Sequence, residues 1–195
     1  MRLSSLISAP CRRLLRDWAA DCRGIAATEF AFIVPLMLVL FFGTVEFSSA
    51  IAVDRKVTLM ARTLSDLTSQ STTVTPGNIT NFFTASSSIM YPYDTTPVHA
   101  TITELYVDPA TLKARVQWSS GYAAKTPGDI VADVPTALLV GDTYLIHGEV
   151  KYKYTPAVGY VMSKSTGVTL GDVAYTRPRQ STCVIYSVDG ACTKK

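Results

Sequence analysis

Few side chains in this chain have the type and spacing that catalysis requires. His99 and His147 are the only general-base candidates near neutral pH, and both lie in alternating patterns typical of strands. His147 falls on the charged side of its pattern, so we predict a solvent-facing histidine. The sequence has no glycine-rich phosphate loop, nucleophile elbow or metal-ligand cluster. We therefore expect no enzyme, and no cofactor, metal or small-molecule substrate.

Glu29 is the residue whose position most needs a chemical explanation. It lies near the start of an apolar span, Ile25 to Phe47, that has no charged side chain between Phe30 and Val45. At about 1.5 Å per residue the span measures roughly 34 Å, enough to cross the hydrocarbon core of a membrane. A carboxylate there costs about 2–4 kcal/mol unless it is paired, hydrated or neutralised. Either water and head groups reach Glu29, or it has a partner.

Gly24 suggests what that partner is. A protease that cut after Gly24 would make Ile25 a new N-terminus with a free ammonium group. Ile25 and Glu29 are four residues apart and share one helix face, and the helix dipole favours a carboxylate in the first turn. Glu29 could then neutralise its own N-terminus or that of a neighbouring subunit. The alternative cleavage site, Ala50-Ile51-Ala52, resembles a signal-peptidase site but follows an apolar run longer than a signal peptide needs.

The distribution of charge and cysteine predicts the topology. Five arginines in the first 24 residues face two aspartates, whereas the remaining chain has thirteen charges of each sign. This positive-inside signal places the N-terminus in the cytoplasm and the later residues in the periplasm. No basic face typical of nucleic-acid binding is visible. Cys183 and Cys192 have a spacing suited to a small disulfide loop, with two unpaired thiols as the alternative, whereas Cys11 and Cys22 precede the span.

Helical periodicity continues beyond the apolar span. Val53, Val57, Met60, Leu64 and Leu67 form one stripe, with Ser65 among the residues that fall mostly elsewhere. The stripe is short for a coiled coil, so we favour an intramolecular docking face. The span and this segment can form one long helix, which ends in the Ser/Thr-rich stretch 68–75. A second helix is predicted from Thr75 as N-cap and Pro76 as first residue, carrying Ile79, Phe82 and Phe83 towards the core.

The second half of the chain shows the two-residue period of strands. We predict strands over 98–107, 112–118, 144–154 and 168–175, with a bulge at Gly171, and a further strand over 183–187. In the second of these, Leu112, Ala114, Val116 and Trp118 are predicted to share the buried face. Residues 119–142 are rich in Gly and Pro and are predicted to be a long loop. Strands that follow one another without helices predict a mainly antiparallel sheet and an α+β fold.

The segment Arg23-Gly24-Ile25-Ala26-Ala27-Thr28-Glu29-Phe30-Ala31-Phe32-Ile33-Val34-Pro35, followed by Gly43 and Glu46-Phe47, resembles the TadE-like family. These proteins are minor pseudopilins of the tight-adherence (Flp, type IVb) pilus machinery, and TadE, TadF and the N-terminus of TadG share the motif. Residues 175–179 near the C-terminus are also similar to the end of these proteins. The chain is short for the large domain of TadG, which favours the TadE type.

The resemblance implies roles for five residues. A prepilin peptidase would cut between Gly24 and Ile25, and Glu29 would be the position-five glutamate of the mature chain, with Phe30 beside it as an assembly residue. Pro35 removes the hydrogen bond to the carbonyl of Ala31 and is expected to bend the helix. The implied partners are the membrane, other pilins and pseudopilins, the prepilin peptidase and the inner-membrane pilus assembly platform.

The sequence thus predicts a cytoplasmic basic leader (1–24), a transmembrane helix (25–47), a periplasmic amphipathic helix (48–74) and a pilin-like periplasmic α+β domain (75–195). The expected role is structural, in assembly of the pilus at the bacterial inner membrane, with incorporation in the pilus left open. The alternative is an uncleaved, membrane-tethered periplasmic binding or adhesion module.

Overall fold

The described chain begins with one long helix. A computed structural model describes residues 23–156, 167–187, 191–192 and 194. Helix α1 spans Arg23–Ser69 and continues through Pro35, so the apolar span and the amphipathic segment form one helix, as the sequence predicts. The chain divides into two units, residues 1–45 and residues 46–195, and α1 contributes to both. The predicted leader, apart from Arg23 and Gly24, lies outside the described residues, as do Cys11 and Cys22.

The unit of residues 46–195 has the predicted α+β architecture. After α1 come β1 (Thr73–Val74), α2 (Pro76–Ser87) and a 3-10 turn (Ser88–Met90), and then β2 (Val98–Val107), β3 (Ala114–Gly121), β4 (Ile130–Val131), a 3-10 turn (Thr136–Leu138), β5 (Thr143–Tyr154), β6 (Val168–Thr176) and β7 (Ile185–Tyr186). The main sheet has the order β4-β3-β2-β5-β6 with every pairing antiparallel. A long apolar helix followed by an antiparallel sheet is thus confirmed.

The stripe of α1 packs on one face of this sheet, which we call the helix face. Val53, Val57, Met60 and Leu64 are buried in the same cluster as Ile102, Ile146 and Val150 of the sheet. The intramolecular docking face is therefore confirmed, although Leu67 is only half-buried. Ser65, expected off the stripe, is fully buried and bonds to the Thr176 hydroxyl at 2.8 Å. The helix lies so close to β5 that a Cβ at Gly148 would come within 2.9 Å of the Ala61 carbonyl oxygen.

Helix α2 begins where the sequence predicts. Thr75 is its N-cap, Pro76 its first residue, and Thr75 and Asn78 form a reciprocal capping box. Ile79 is buried, and Phe82 and Phe83 are half-buried against the helix-face core, so the predicted inward face of α2 is confirmed.

The predicted strand over residues 112–118 is wrong in two respects. Leu112 lies outside β3 in a turn, with φ of 50° and half of its side chain exposed. A bulge in β3 then changes the register, since Val116 pairs with Leu105 whereas Trp118 pairs with Glu104. Because Glu104 and Leu105 are consecutive, the bulge places Val116 and Trp118 on opposite faces of the sheet. Trp118 therefore joins the helix-face core, and Val116 the core beneath the other face.

The second face of the sheet, which we call the outer face, is covered in part: Leu105 and Leu145 on it are buried, whereas Lys151 and Lys153 are exposed. The segment predicted as a long loop contains the last residues of β3, the short strand β4 and a 3-10 turn. Its Val134, Leu138 and Leu139 pack on Leu105 and Leu145 of the outer face. His147, on the same face, is only 3% exposed and lies against Tyr175, so the prediction of a solvent-facing histidine is wrong.

The C-terminal part differs from its predicted pattern. Strand β6 keeps one register with β5 from Val168 to Thr176, so the bulge expected at Gly171 is absent. The strand expected over 183–187 is shorter, and it pairs in parallel with β1 outside the main sheet. Val184, just before β7, is fully buried, and its backbone is held by Glu104, which accepts from its N–H, and Trp118, which donates to its carbonyl.

Candidate assembly site on the N-terminal helix

The described part of the unit of residues 1–45, residues 23–45, presents an apolar surface. Its large apolar side chains are exposed, from 42% at Phe42 to 82% at Phe32, although Val34 is half-buried. The mean hydropathy over 18 residues of α1 reaches 2.3, and none of that window is buried. By length and composition α1 can cross a membrane. Side chains exposed in this way require cover by lipid or by neighbouring helices.

Glu29 interrupts this apolar surface. Its side chain is exposed, and within the described residues it forms no hydrogen bond or ion pair. The neighbouring Thr28 is different, because its hydroxyl donates to the carbonyl oxygen of Ile25 at 2.8 Å. The polar group of Thr28 is thus satisfied inside the helix, whereas the carboxylate of Glu29 is available to water, lipid head groups or another chain.

The predicted site residues lie along about 17 Å of helix axis, from Gly24 to Pro35. At about 100° per residue, Ile25 and Glu29 share a face with Phe32 and Leu36, and Phe30 points about a quarter turn away. Phe30 is 68% exposed. A side chain at Gly24 would meet nothing within 4 Å, so the chain is accessible there. The five predicted residues, Gly24, Ile25, Glu29, Phe30 and Pro35, therefore lie on one segment of α1. The neighbours of Glu29 on its face of the helix are apolar.

A second glutamate on α1 has a partner that the sequence did not indicate. Tyr154, at the end of β5, donates its hydroxyl to the Glu46 carboxylate at 2.9 Å. Burial and this carboxylate raise the pKa of Tyr154 to about 12, so the phenol stays a hydrogen-bond donor at physiological pH. The alternating pattern along β5 predicts that Tyr154 lies on the buried face. Its position beside Glu46 depends on how α1 packs on the sheet.

The two histidines are not arranged for catalysis. His99 stacks on Tyr122 with ring centroids 3.7 Å apart. His147 lies against Tyr175, and burial, together with Lys125, lowers its pKa to about 4, so it is neutral at pH 7. Its Nδ1 atom has no partner among the described residues, and no group of three metal-ligating side chains occurs there either.

The predicted cysteine pair lies at the other end of the chain. Cys183 and Cys192 are joined by a disulfide with Cα atoms 5.8 Å apart. Cys183 is buried and packs with Tyr106 and Tyr144 on the helix face. The disulfide therefore links Cys192 to the residue next to Val184, whose backbone forms hydrogen bonds with Glu104 and Trp118.

A comparison with protein families finds a match over most of α1. Residues 24–64 match the TadE-like protein family. The match begins at Gly24, includes Glu29, Pro35 and Glu46, and ends within the buried stripe at Leu64, so the resemblance of this segment is confirmed. TadE-like proteins belong to the Tad pilus, so the match relates this segment of the chain to that system. No curated protein and no solved structure matches the chain significantly.

Proposed function

We propose that this protein is a TadE-like minor pseudopilin that takes part in assembly of a tight-adherence pilus. The proposal places α1 in the inner membrane, with the N-terminus in the cytoplasm and the unit of residues 46–195 in the periplasm. The observation that carries it is Glu29: an exposed carboxylate, without a partner in the described chain, on the apolar helix of the TadE-like segment. Its partners would be other pilins and pseudopilins and the inner-membrane assembly platform.

Glu29 supplies a specific contact between subunits in this proposal. Cleavage after Gly24 by a prepilin peptidase would leave an ammonium group at Ile25, within reach of the carboxylate of an adjacent helix. In a membrane the unpaired carboxylate costs about 2–4 kcal/mol, and pairing offsets that cost. The pair would also set the axial register between helices, because the apolar side chains around Glu29 pack in many registers whereas the charge is satisfied in one.

Pro35 has a supporting role in the proposal. It lies eleven residues after Gly24 in the helix, where its ring leaves the carbonyl of Ala31 without an intrahelical donor. A bend at this point would either help a subunit leave the bilayer for a filament or simply be tolerated. Helix α1 continues through Pro35, so the proline does not divide it.

Substitution of Glu29 tests the subunit contact. We expect Glu29→Val to insert in the membrane as well as wild type, while pilus assembly falls at least tenfold. Thr28→Val is the matched control, because it is also exposed and becomes apolar at the neighbouring position, and it should assemble normally. Surface piliation, measured by immunoblot of sheared filaments, is the readout. Normal assembly of Glu29→Val would favour the tethered binding or adhesion module instead.

The mature N-terminus tests the processing. We expect mass spectrometry of the membrane-extracted chain to find Ile25 first, and Gly24→Leu to retain the leader. Gly43→Leu is the control, because a side chain at Gly43 also meets nothing within 4 Å. A chain that begins at Val53 would mean a secreted domain. A chain that keeps Met1 would mean an uncleaved membrane protein, and would remove the free amine from the proposal.

A further inference from the structure

Strand β5 ends beside the last residues of the apolar span, which extends to Phe47. Its final residue, Tyr154, donates its hydroxyl to the Glu46 carboxylate at 2.9 Å. Tyr154 also pairs in register with Val168, the first residue of β6. The end of β5, the start of β6 and the residues of α1 that follow Val45 therefore lie together. We call this end of the unit of residues 46–195 the proximal end.

Helix α1 and strand β6 run in the same direction along this unit. Glu46 contacts Tyr154 at the proximal end, and the Ser65 hydroxyl contacts the Thr176 hydroxyl at 2.8 Å at the other end. The helix from Glu46 to Ser65 measures about 28 Å, and the strand from Val168 to Thr176 about 26 Å. Because these lengths nearly agree, the helix and the strand are close to parallel, and the distance from Glu46 increases steadily along β6.

Three side chains at the proximal end are exposed. Phe47 is 68% exposed, and Val168 is 57% exposed. Lys153, one residue before the end of β5, is exposed and has no ion pair among the described residues. Lys151 differs, because it is paired with Glu149 at 2.6 Å. The proximal end thus presents two large apolar side chains and an ammonium group that is available to a partner outside the described chain.

These side chains have the chemistry of the boundary between a membrane and water. Aromatic and apolar side chains enter the region between the acyl chains and the head groups, and lysine extends its ammonium group towards the lipid phosphates. The head-group region adds about 5–7 Å on each side of the hydrocarbon core. With the apolar span in a bilayer, this region begins at the level of Glu46 and Phe47. Chain connectivity alone therefore brings the proximal end to phospholipid head groups.

We propose that the proximal end rests on the membrane surface, with Phe47 and Val168 at the head-group boundary and Lys153 on a lipid phosphate. The partner is the phospholipid bilayer itself, on the side that the proposed topology places in the periplasm. Together with the hydrogen bond between Tyr154 and Glu46, this contact fixes the height of the sheet above the bilayer. The inference rests on one part of the proposed function, the insertion of α1, and holds whether or not the chain enters a pilus.

Fluorescence quenching in vesicles tests the contact. The full chain with Cys11→Ser and Cys22→Ser is reconstituted in vesicles of phosphatidylethanolamine and phosphatidylglycerol that contain a lipid with a nitroxide on its head group. The native disulfide is verified by mass. A fluorophore on Val168→Cys should be quenched at least threefold more strongly than one on Leu112→Cys. Leu112 is the matched control, because it is also half exposed and apolar but lies at the other end of β5, a strand about 36 Å long.

Charge reversal tests the contribution of Lys153. Lys153→Glu, added to the labelled Val168→Cys chain, should reduce the quenching at least twofold, because lipid phosphates repel a carboxylate. Lys113→Glu is the control, since this exposed lysine lies beside Leu112 in the turn at the other end of the sheet, and it should leave the quenching unchanged. Near-ultraviolet circular dichroism checks that each variant is folded.

A third label separates this contact from the insertion of α1. Val39 lies near the middle of the apolar span, and a fluorophore on Val39→Cys should be quenched by a nitroxide on the lipid acyl chains. If Val39 is quenched but Val168 and Leu112 are quenched equally, or Lys153→Glu has no effect, the contact is overturned and the insertion stands. If Val39 is not quenched, the insertion of α1 is overturned, and the contact with it.

Discussion

At the scale of single residues, Glu104 is the most unusual group in the core. Its side chain is 3% exposed, and its Oε1 accepts the Val184 N–H at 2.6 Å. Burial raises its pKa to about 7, against the lowering effect of its hydrogen bonds from Val184 and Trp118. The folded protein therefore holds the proton at pH values where the unfolded chain, with a pKa near 4.5, has already lost it. Folding stability is lost as pH rises from about 4.5 to 7.

Replacing Glu104 with glutamine tests this linkage. Glu104→Gln keeps an acceptor for Val184 but cannot ionise, so we expect it to gain about 2 kcal/mol of unfolding free energy relative to wild type between pH 5 and pH 8. His147 has the opposite effect, since its lowered pKa makes stability rise between about pH 4 and 6.5, but it contributes equally to both proteins. Urea unfolding of the full chain in detergent gives the difference. Parallel pH profiles would show that Glu104 does not titrate differently in the two states.

Tyr154 and His147 show what the sequence can and cannot predict about a single residue. Alternation along β5 correctly placed Tyr154 on the buried face and His147 on the opposite one. Whether that opposite face meets water depends on residues 122–142, whose composition indicated only a loop. Val134, Leu138 and Leu139 from that segment cover the part of it around Leu105 and Leu145. An alternating pattern thus predicts which side chains share a face of the sheet, but not which segment packs against that face.

At the scale of elements, the start of α2 was predictable because its signals are local. Thr75, Pro76 and Asn78 meet all requirements of a helix N-terminus within four residues. The bulge in β3 was not predictable, because it depends on β2. Its consequence is that Trp118 lies beside Glu104 on the helix face, and the two side chains together hold Val184.

The N-cap gives an element-scale prediction. Thr75→Ala removes two hydrogen bonds of the Thr75 hydroxyl, which accepts from the Asn78 N–H in the capping box and donates to the Asn78 Oδ1. We expect it to lower the unfolding free energy by about 1 kcal/mol. Thr84→Ala is the control, because that exposed hydroxyl bonds only to the Thr80 carbonyl within the helix. It should change stability by less than about 0.5 kcal/mol. Equal effects in chemical denaturation would show that the cap does not stabilise α2.

At the scale of the whole molecule, the C-terminal segment completes the core of the unit of residues 46–195. Val184 and Tyr186 pack on the helix-face cluster, β7 pairs with β1, and the Cys183–Cys192 disulfide lies beside both. The pairing of β7 with β1 joins Thr73 to Ile185, more than a hundred positions apart in the chain. The disulfide closes a local loop in this segment and restricts the unfolded chain there.

Removing the disulfide tests its contribution. We expect Cys183→Ala with Cys192→Ala to lower the unfolding free energy by about 2–3 kcal/mol, the loss for a loop of this size. The matched control is Cys11→Ser with Cys22→Ser, two cysteines of the predicted leader, which should leave stability unchanged. Denaturation with and without a thiol reductant provides a second readout. A reductant that leaves wild type unaffected would contradict the prediction.

The amino-acid sequence is sufficient to predict the apolar helix with Glu29, the buried stripe that follows it, the start of α2 and most strands. These features follow from periodicity and capping, which act between residues close in the chain. The tertiary fold accounts for the burial of His147, the hydrogen bonds that hold Val184, the parallel pairing of β7 and the partner of Glu46. Each of these depends on which distant segment lies against a given face, and the backbone pairing and packing that select that segment leave no local pattern.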